Sequence, residues 1–201
     1  MPPKAKFSKE EIIEAAVNIV KSKSYQALTA RALGAELGTS SSPIFTVFQS
    51  MDEVQQEVLK AANRLYQNYL DTDIKSKKYP PYKASGMAYI RFAKEEKELF
   101  KLLFMRDRSQ EKPYDNKEEI RPLIELIKQN LDISEDDAYL FHLEMWIYVH
   151  GIATMAATSY LDWDDDFISR ILTDAYAGLK YRYTESKHNA SSQNRESYKK
   201  I

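Results

Sequence analysis

Ser41, Ser42, Pro43, Phe45 and Thr46 form a compact set of small hydroxyls and apolar rings, interrupted only by Ile44. Hydroxyls donate to or accept from several base edges, and a proline ring can touch a thymine methyl. Ile44 and Phe48, spaced by four, turn the opposite way into a core, so the set faces outward as a recognition helix in a major groove requires. A second set, His142, Trp146 and His150, recurs every four residues and shares one helical face. Two imidazoles eight apart lack a third ligand and the His-x-x-x-His spacing, so no metal site is expected. They read as hydrogen-bonded core histidines. Alternatively, Trp146 and His150 line a ligand cavity whose other walls are Tyr89, Phe92, Phe104 and Met145.

The elements that must hold the first set are legible around it. Thr29 is placed to N-cap a short helix, with Leu28 and Leu33 as a hydrophobic staple and Ala30, Leu33 and Leu37 as its apolar face. Gly38 ends that helix in a left-handed conformation, and Ser40 caps a second helix with Pro43 in its first turn. Two short helices hinged at a glycine make a helix-turn-helix. Ahead of them Ser8 and Glu11 form a capping box, with Phe7 and Ile12 as a staple, opening an amphipathic helix through Val20. Behind them Ser50 and Glu53 form another capping box, opening a long helix with apolar positions at Val54, Val58, Ala61, Ala62, Leu65 and Tyr69.

Tyr79-Pro80-Pro81-Tyr82 breaks the pattern and marks a boundary. Beyond it the spacing predicts helices near 83–94, 96–107, 117–131, 134–160 and 164–184, with Ser134 capping the fourth and Asp162 or Asp164 the fifth. The fourth is apolar on nearly every face, through Leu140, Phe141, Leu143, Met145, Trp146, Ile147, Val149, Ile152 and Met155. Such a helix must be buried on more than one side. With the stripe Ile168, Ile171, Leu172, Ala175 and Leu179 on the last helix, two copies would supply a four-helix interface. The expected organisation is residues 1–50 as the helix-turn-helix domain and 51–78 as a connecting helix. Residues 79–184 form a ligand-binding and dimerisation domain, and 185–201 a polar, disordered tail.

Composition narrows the function class. The 201 residues, 43% hydrophobic and poor in glycine and proline, suit a sizeable all-α core. Net charge is −1, but residues 1–50 hold six basic against four acidic residues, a bias of +2 that permits nucleic acid contact. With no cysteine, thiolate chemistry is unavailable. No apolar run is long enough for a bilayer and the start lacks a signal peptide, so a cytoplasmic location without a membrane partner is expected. Neither a phosphate loop nor a nucleophile elbow is present, so the chain does not read as an enzyme, and no cofactor is expected.

The run Leu37-Gly-Thr-Ser-x-x-x-Ile-Phe-x-x-Phe-x-Ser50 resembles the TetR family of bacterial transcriptional regulators. Tyr89-Ile-Arg-Phe-Ala93, Leu99 to Phe104 and Trp146-x-x-x-His150-Gly151 look like the C-terminal domain of the TetR subgroup named for its Trp-His-Gly signature. The resemblance implies a homodimer that binds an inverted-repeat DNA operator and responds to a small-molecule effector, usually as a repressor. Its implied DNA-facing set is Lys4, Lys6, Thr29, Arg31, Thr39, Ser40, Ser41, Ser42, Pro43, Phe45, Thr46 and Met51. Relatives usually carry Tyr, His or Tyr, and Lys where this chain has Phe45, Val47 and Met51, so phosphate-binding groups are missing. The competing reading is a helical small-molecule- or protein-binding module that has lost operator recognition. The hydroxyls at Ser41, Ser42 and Thr46 argue against it.

Overall fold

The computed structural model describes residues 6–109 and 117–189, and these hold eight α-helices and no strand. Lys4 and the end of the chain beyond Asn189 lie outside the described residues. Helix α1, Lys9–Ser22, starts at the expected capping box: Ser8 Oγ accepts from the Glu11 N–H at 3.1 Å and the Glu11 carboxylate accepts from the Ser8 N–H at 2.7 Å. Its Ile12, Ala15, Ala16, Ile19 and Val20 are buried at helical spacing. A 3-10 turn, Tyr25–Ala27, leads to α2, Ala30–Glu36, capped by the Thr29 hydroxyl on the Ala32 N–H at 3.2 Å.

The end of α2 is a Schellman motif. The Thr39 N–H donates to the Gly34 carbonyl at 2.8 Å and the Gly38 N–H to the Ala35 carbonyl at 3.1 Å, with Gly38 at φ +65°. This folds the chain back so closely on α2 that a Cβ at Gly34 would stand 2.9 Å from the Ser40 carbonyl carbon and 3.0 Å from both Thr39 O and Ser41 N. The Gly34 requirement is not visible in the spacing of apolar residues.

The second helix of the hairpin differs from expectation. It is a 3-10 turn, Ile44–Thr46, whose N-cap is Pro43, and Ser40 does not cap it. The N–H groups of Ile44, Phe45, Thr46 and Val47 each bond the carbonyl three residues back, at 3.0–3.3 Å. Proline brings no N–H, and β-branched Ile44, Thr46 and Val47 crowd a regular α-turn, so a short tight turn wins. Its anchors hold as expected: Ile44 and Phe48 are buried.

Helix α3, Met51–Ser76, begins with Ser50 Oγ accepting from the Glu53 N–H. The reciprocal half of the expected box is absent, because the Glu53 carboxylate accepts from the Gln49 N–H at 2.8 Å. Helix α4, Pro81–Glu95, follows the Tyr79-Pro80 break, then come α5, Lys97–Phe104, α6, Lys117–Leu131, α7, Glu135–Ala157, and α8, Asp165–Asn189. Ser134 caps α7 and Asp164 takes the Phe167 N–H at 2.7 Å to cap α8. The last helix extends past Lys187 into the segment read as tail.

Helix α4 is the centre of the C-terminal body, packed between α3 and α7 and touching α5, α6 and α8. Helix α5 packs on α1 and the Tyr25–Ala27 turn, so one continuous apolar core runs through both halves. Lys21 at the end of α1 pairs with Glu96 at 2.8 Å across this junction.

Candidate nucleic-acid interface and effector site

The surface of the Ile44–Thr46 turn follows from its anchors. With Ile44 and Phe48 inward, Ser42, Phe45 and Thr46 are exposed, Phe45 at 45%, while Ser41 and Pro43 are half-buried. The Thr46 hydroxyl donates to the Pro43 carbonyl at 2.7 Å. Around the turn, Lys6 Nζ donates to Thr39 Oγ1 at 3.4 Å, bringing an exposed ammonium to its entrance. Ser40, Thr29 and Arg31 are exposed, and Met51 is half-buried at the first position of α3. Lys9 is drawn away, paired with Glu57 at 3.3 Å above the Phe48 ring.

In the C-terminal body, α4 and α7 are joined by two matched hydrogen bonds. Tyr89 Oη shares one with His150 Nδ1 at 2.9 Å, and Tyr82 Oη shares one with His142 Nδ1 at 3.2 Å. Burial pushes both imidazoles below the usual histidine range and both phenols well above the usual tyrosine range, so all four groups are neutral at neutral pH. Trp146 stacks on His150 with ring centres 4.8 Å apart, 16° from parallel. Tyr89 meets Phe104 at 4.8 Å and Phe100 at 5.2 Å.

Four of the sequence-derived wall residues, Tyr89, Phe104, Trp146 and His150, are thus linked ring to ring. Phe92 joins them through Tyr66, 5.4 Å from Phe92 and 5.7 Å from Tyr89. Met145 is buried on the core side of α7, whereas Trp146 is 45% exposed, so adjacent residues point to different environments. Sequence reasoning missed Tyr66 and Phe100, which fill the centre of the cluster. The Phe100–Phe104 spacing of four was a signal for one of them, and Tyr66, four after Ala62, for the other.

A small cleft of about 90 Å³ lies elsewhere, lined by Asp73, Ser76, Lys78, Tyr79, Met87, Ile90, Arg91 and Asp165. Two of its charges, Arg91 and Asp73, are paired with each other. Arg91 forks onto Asp73, with Nη2–Oδ1 2.7 Å and Nε–Oδ2 3.3 Å, and lies 4.3 Å from the Tyr69 ring centre. The described residues contain no cluster of His, Cys, Asp or Glu able to hold a metal, and no helix long and apolar enough to cross a membrane.

The described residues place an N-terminal helical hairpin on a long helix, α3, that leads into an all-α body. Residues 82–176, from the first turn of α4 into α8, match the family model described as Tetracyclin repressor-like, C-terminal domain. The chain therefore carries a tetracycline-repressor-like C-terminal domain, which points to a TetR-type regulator. No curated protein matches the chain.

Proposed function

We propose that the protein is a homodimeric transcriptional repressor that binds an inverted-repeat operator and leaves it when a small molecule binds in its C-terminal body. The observation carrying this reading is the turn of residues 41–47. Two core-anchored side chains, Ile44 and Phe48, hold a hydroxyl-bearing surface outward at the point where a helix-turn-helix meets a major groove. The DNA-facing set is then Lys6, Thr29, Arg31, Thr39 to Pro43, Phe45, Thr46 and Met51, with Lys4 ahead of it.

Dimerisation is supported by α7. A single copy covers one side of it and leaves Leu140 and Ile147 exposed, Ile147 at 64%, along a stripe with Leu143 and Gly151. On α8, Tyr181 is 70% exposed and Gly178 has open space beside it. Apolar stripes of this kind on a soluble surface mark partner contacts.

The effector site we assign to the Tyr89, Phe104, Trp146 and His150 cluster, in the manner of the Trp-His-Gly subgroup. Helix α5 carries Phe100 and Phe104 into that cluster and packs its other side on α1, so a ligand that moves α5 also moves the reader. A ligand binding one arrangement of α5 better than another shifts the dimer between operator-matched and mismatched states. Such a protein works in the cytoplasm, where bacterial DNA lies.

Phe45, Val47 and Met51 favour one other reading, a binding module without an operator. Random-sequence selection with the full chain separates the two. Enrichment of inverted repeats with half-sites about 34–36 Å apart supports the repressor. Enrichment of nothing leaves the binding module.

A further inference from the structure

From Leu37 to Met51 the chain carries no Lys, Arg, His, Asp or Glu. Guanine is read in the major groove mainly by Arg or Lys donating to O6 and N7, so this reader has no group for that contact. Its 3-10 winding eclipses residues three apart, which sets Ser42 and Phe45 on one ridge and Pro43 and Thr46 on the next, above Ile44 and Val47. Thr46 has committed its only hydroxyl proton to the Pro43 carbonyl at 2.7 Å, leaving its methyl group and oxygen lone pairs to the outside. Beside it stand the Pro43 ring and the 45% exposed Phe45 ring. The one major-groove base feature read by apolar contact is the C5 methyl of thymine.

We propose that Pro43, Phe45 and Thr46 specify thymines in the operator half-site by enclosing their C5 methyl groups, with Phe45 the principal specificity-determining residue. Where the turn lies, the half-site is therefore rich in A·T pairs. This rests on the DNA-binding reading above and deepens it by naming the bases read.

The test remakes the duplex selected by the full chain with deoxyuridine in place of thymine, one position at a time, which removes only the methyl. Fluorescence anisotropy should give about fourfold weaker binding for each methyl facing the turn, the value for one buried methylene-sized group at about 0.8 kcal/mol. Changing the symmetric pair in both half-sites should weaken it about fifteenfold. Phe45→Ala should show a clearly smaller difference between the thymine and deoxyuridine duplexes than the unaltered protein, while Phe45→Leu, which keeps apolar bulk, should retain more of it. Thermal melting of both variants guards against misfolding. Equal binding of the two duplexes by the unaltered protein overturns the proposal, as does a selected half-site of G·C pairs under the turn or undiminished methyl sensitivity in Phe45→Ala. Failure to bind any duplex removes the DNA-binding reading itself, and this proposal with it.

Discussion

Gly34→Ala isolates the contact that shapes the reader. Alanine at an ordinary helix interior position is better than glycine by about 1 kcal/mol. At Gly34 the new Cβ would meet three backbone atoms, Ser40 C at 2.9 Å, Thr39 O at 3.0 Å and Ser41 N at 3.0 Å. Backbone cannot rotate away as a side chain can, so the turn must shift, at the overpacking cost of about 1–3 kcal/mol. The net change is neutral to about 2 kcal/mol destabilising. Gly178→Ala is the control, because its Cβ meets nothing within 4 Å and only the helix-propensity gain applies. The two variants should thus differ by about 1–3 kcal/mol, and a difference of 2 kcal/mol is about 4–8 °C in melting temperature for a chain of this size. Calorimetry measures it, and operator binding reports whether the turn has moved: Gly34→Ala should lose affinity at a temperature where it is fully folded. A Gly34→Ala protein that melts with Gly178→Ala and binds DNA normally would refute the close-approach argument.

Other perturbations test the remaining contacts. Met51→Lys should tighten binding to all DNA sequences alike and steepen the plot of log K against log salt by about 0.9, one phosphate contact, and an unchanged slope would mean the start of α3 faces away from the backbone. Ile147→Glu, 64% exposed in one chain, should leave the helical content intact but yield monomers in sedimentation, and a retained dimer would move the interface off this face. Burial holds His142 below its ordinary value of 6.5, so the unfolded chain takes up its proton first as pH falls. The stability gained from keeping it neutral is complete above about pH 6.5 and is lost as pH falls below that value. Urea titrations between about pH 5 and 7.5 should therefore show a gentler decline for His142→Gln, by up to about 1.4 kcal/mol per pH unit. Identical profiles would remove His142 from the pH response.

What the sequence determined by itself is mostly what lies within one turn of chain, although Ser40 does not cap the second turn and Glu53 closes on Gln49 rather than Ser50. Ser8 with Glu11, Thr29 and Ser134 cap their helices as their spacing implies, because a cap is a bond to an N–H three residues on. The left-handed Gly38 and the break before Pro81 are likewise local, and the inward turn of Ile44 and Phe48 follows from periodicity. The tertiary structure decided what depends on neighbours distant in sequence. Only the close return of residues 39–41 over α2 makes Gly34 necessary. The Tyr89–His150 and Tyr82–His142 pairs join residues about sixty apart, and their existence depends on how α4 crosses α7. The same crossing buries Met145 and leaves its neighbour Trp146 stacked at the surface. A helix apolar on every side announces burial but not by what: its own chain covers one face of α7 and leaves Leu140 and Ile147 exposed on the other, which no local rule encodes.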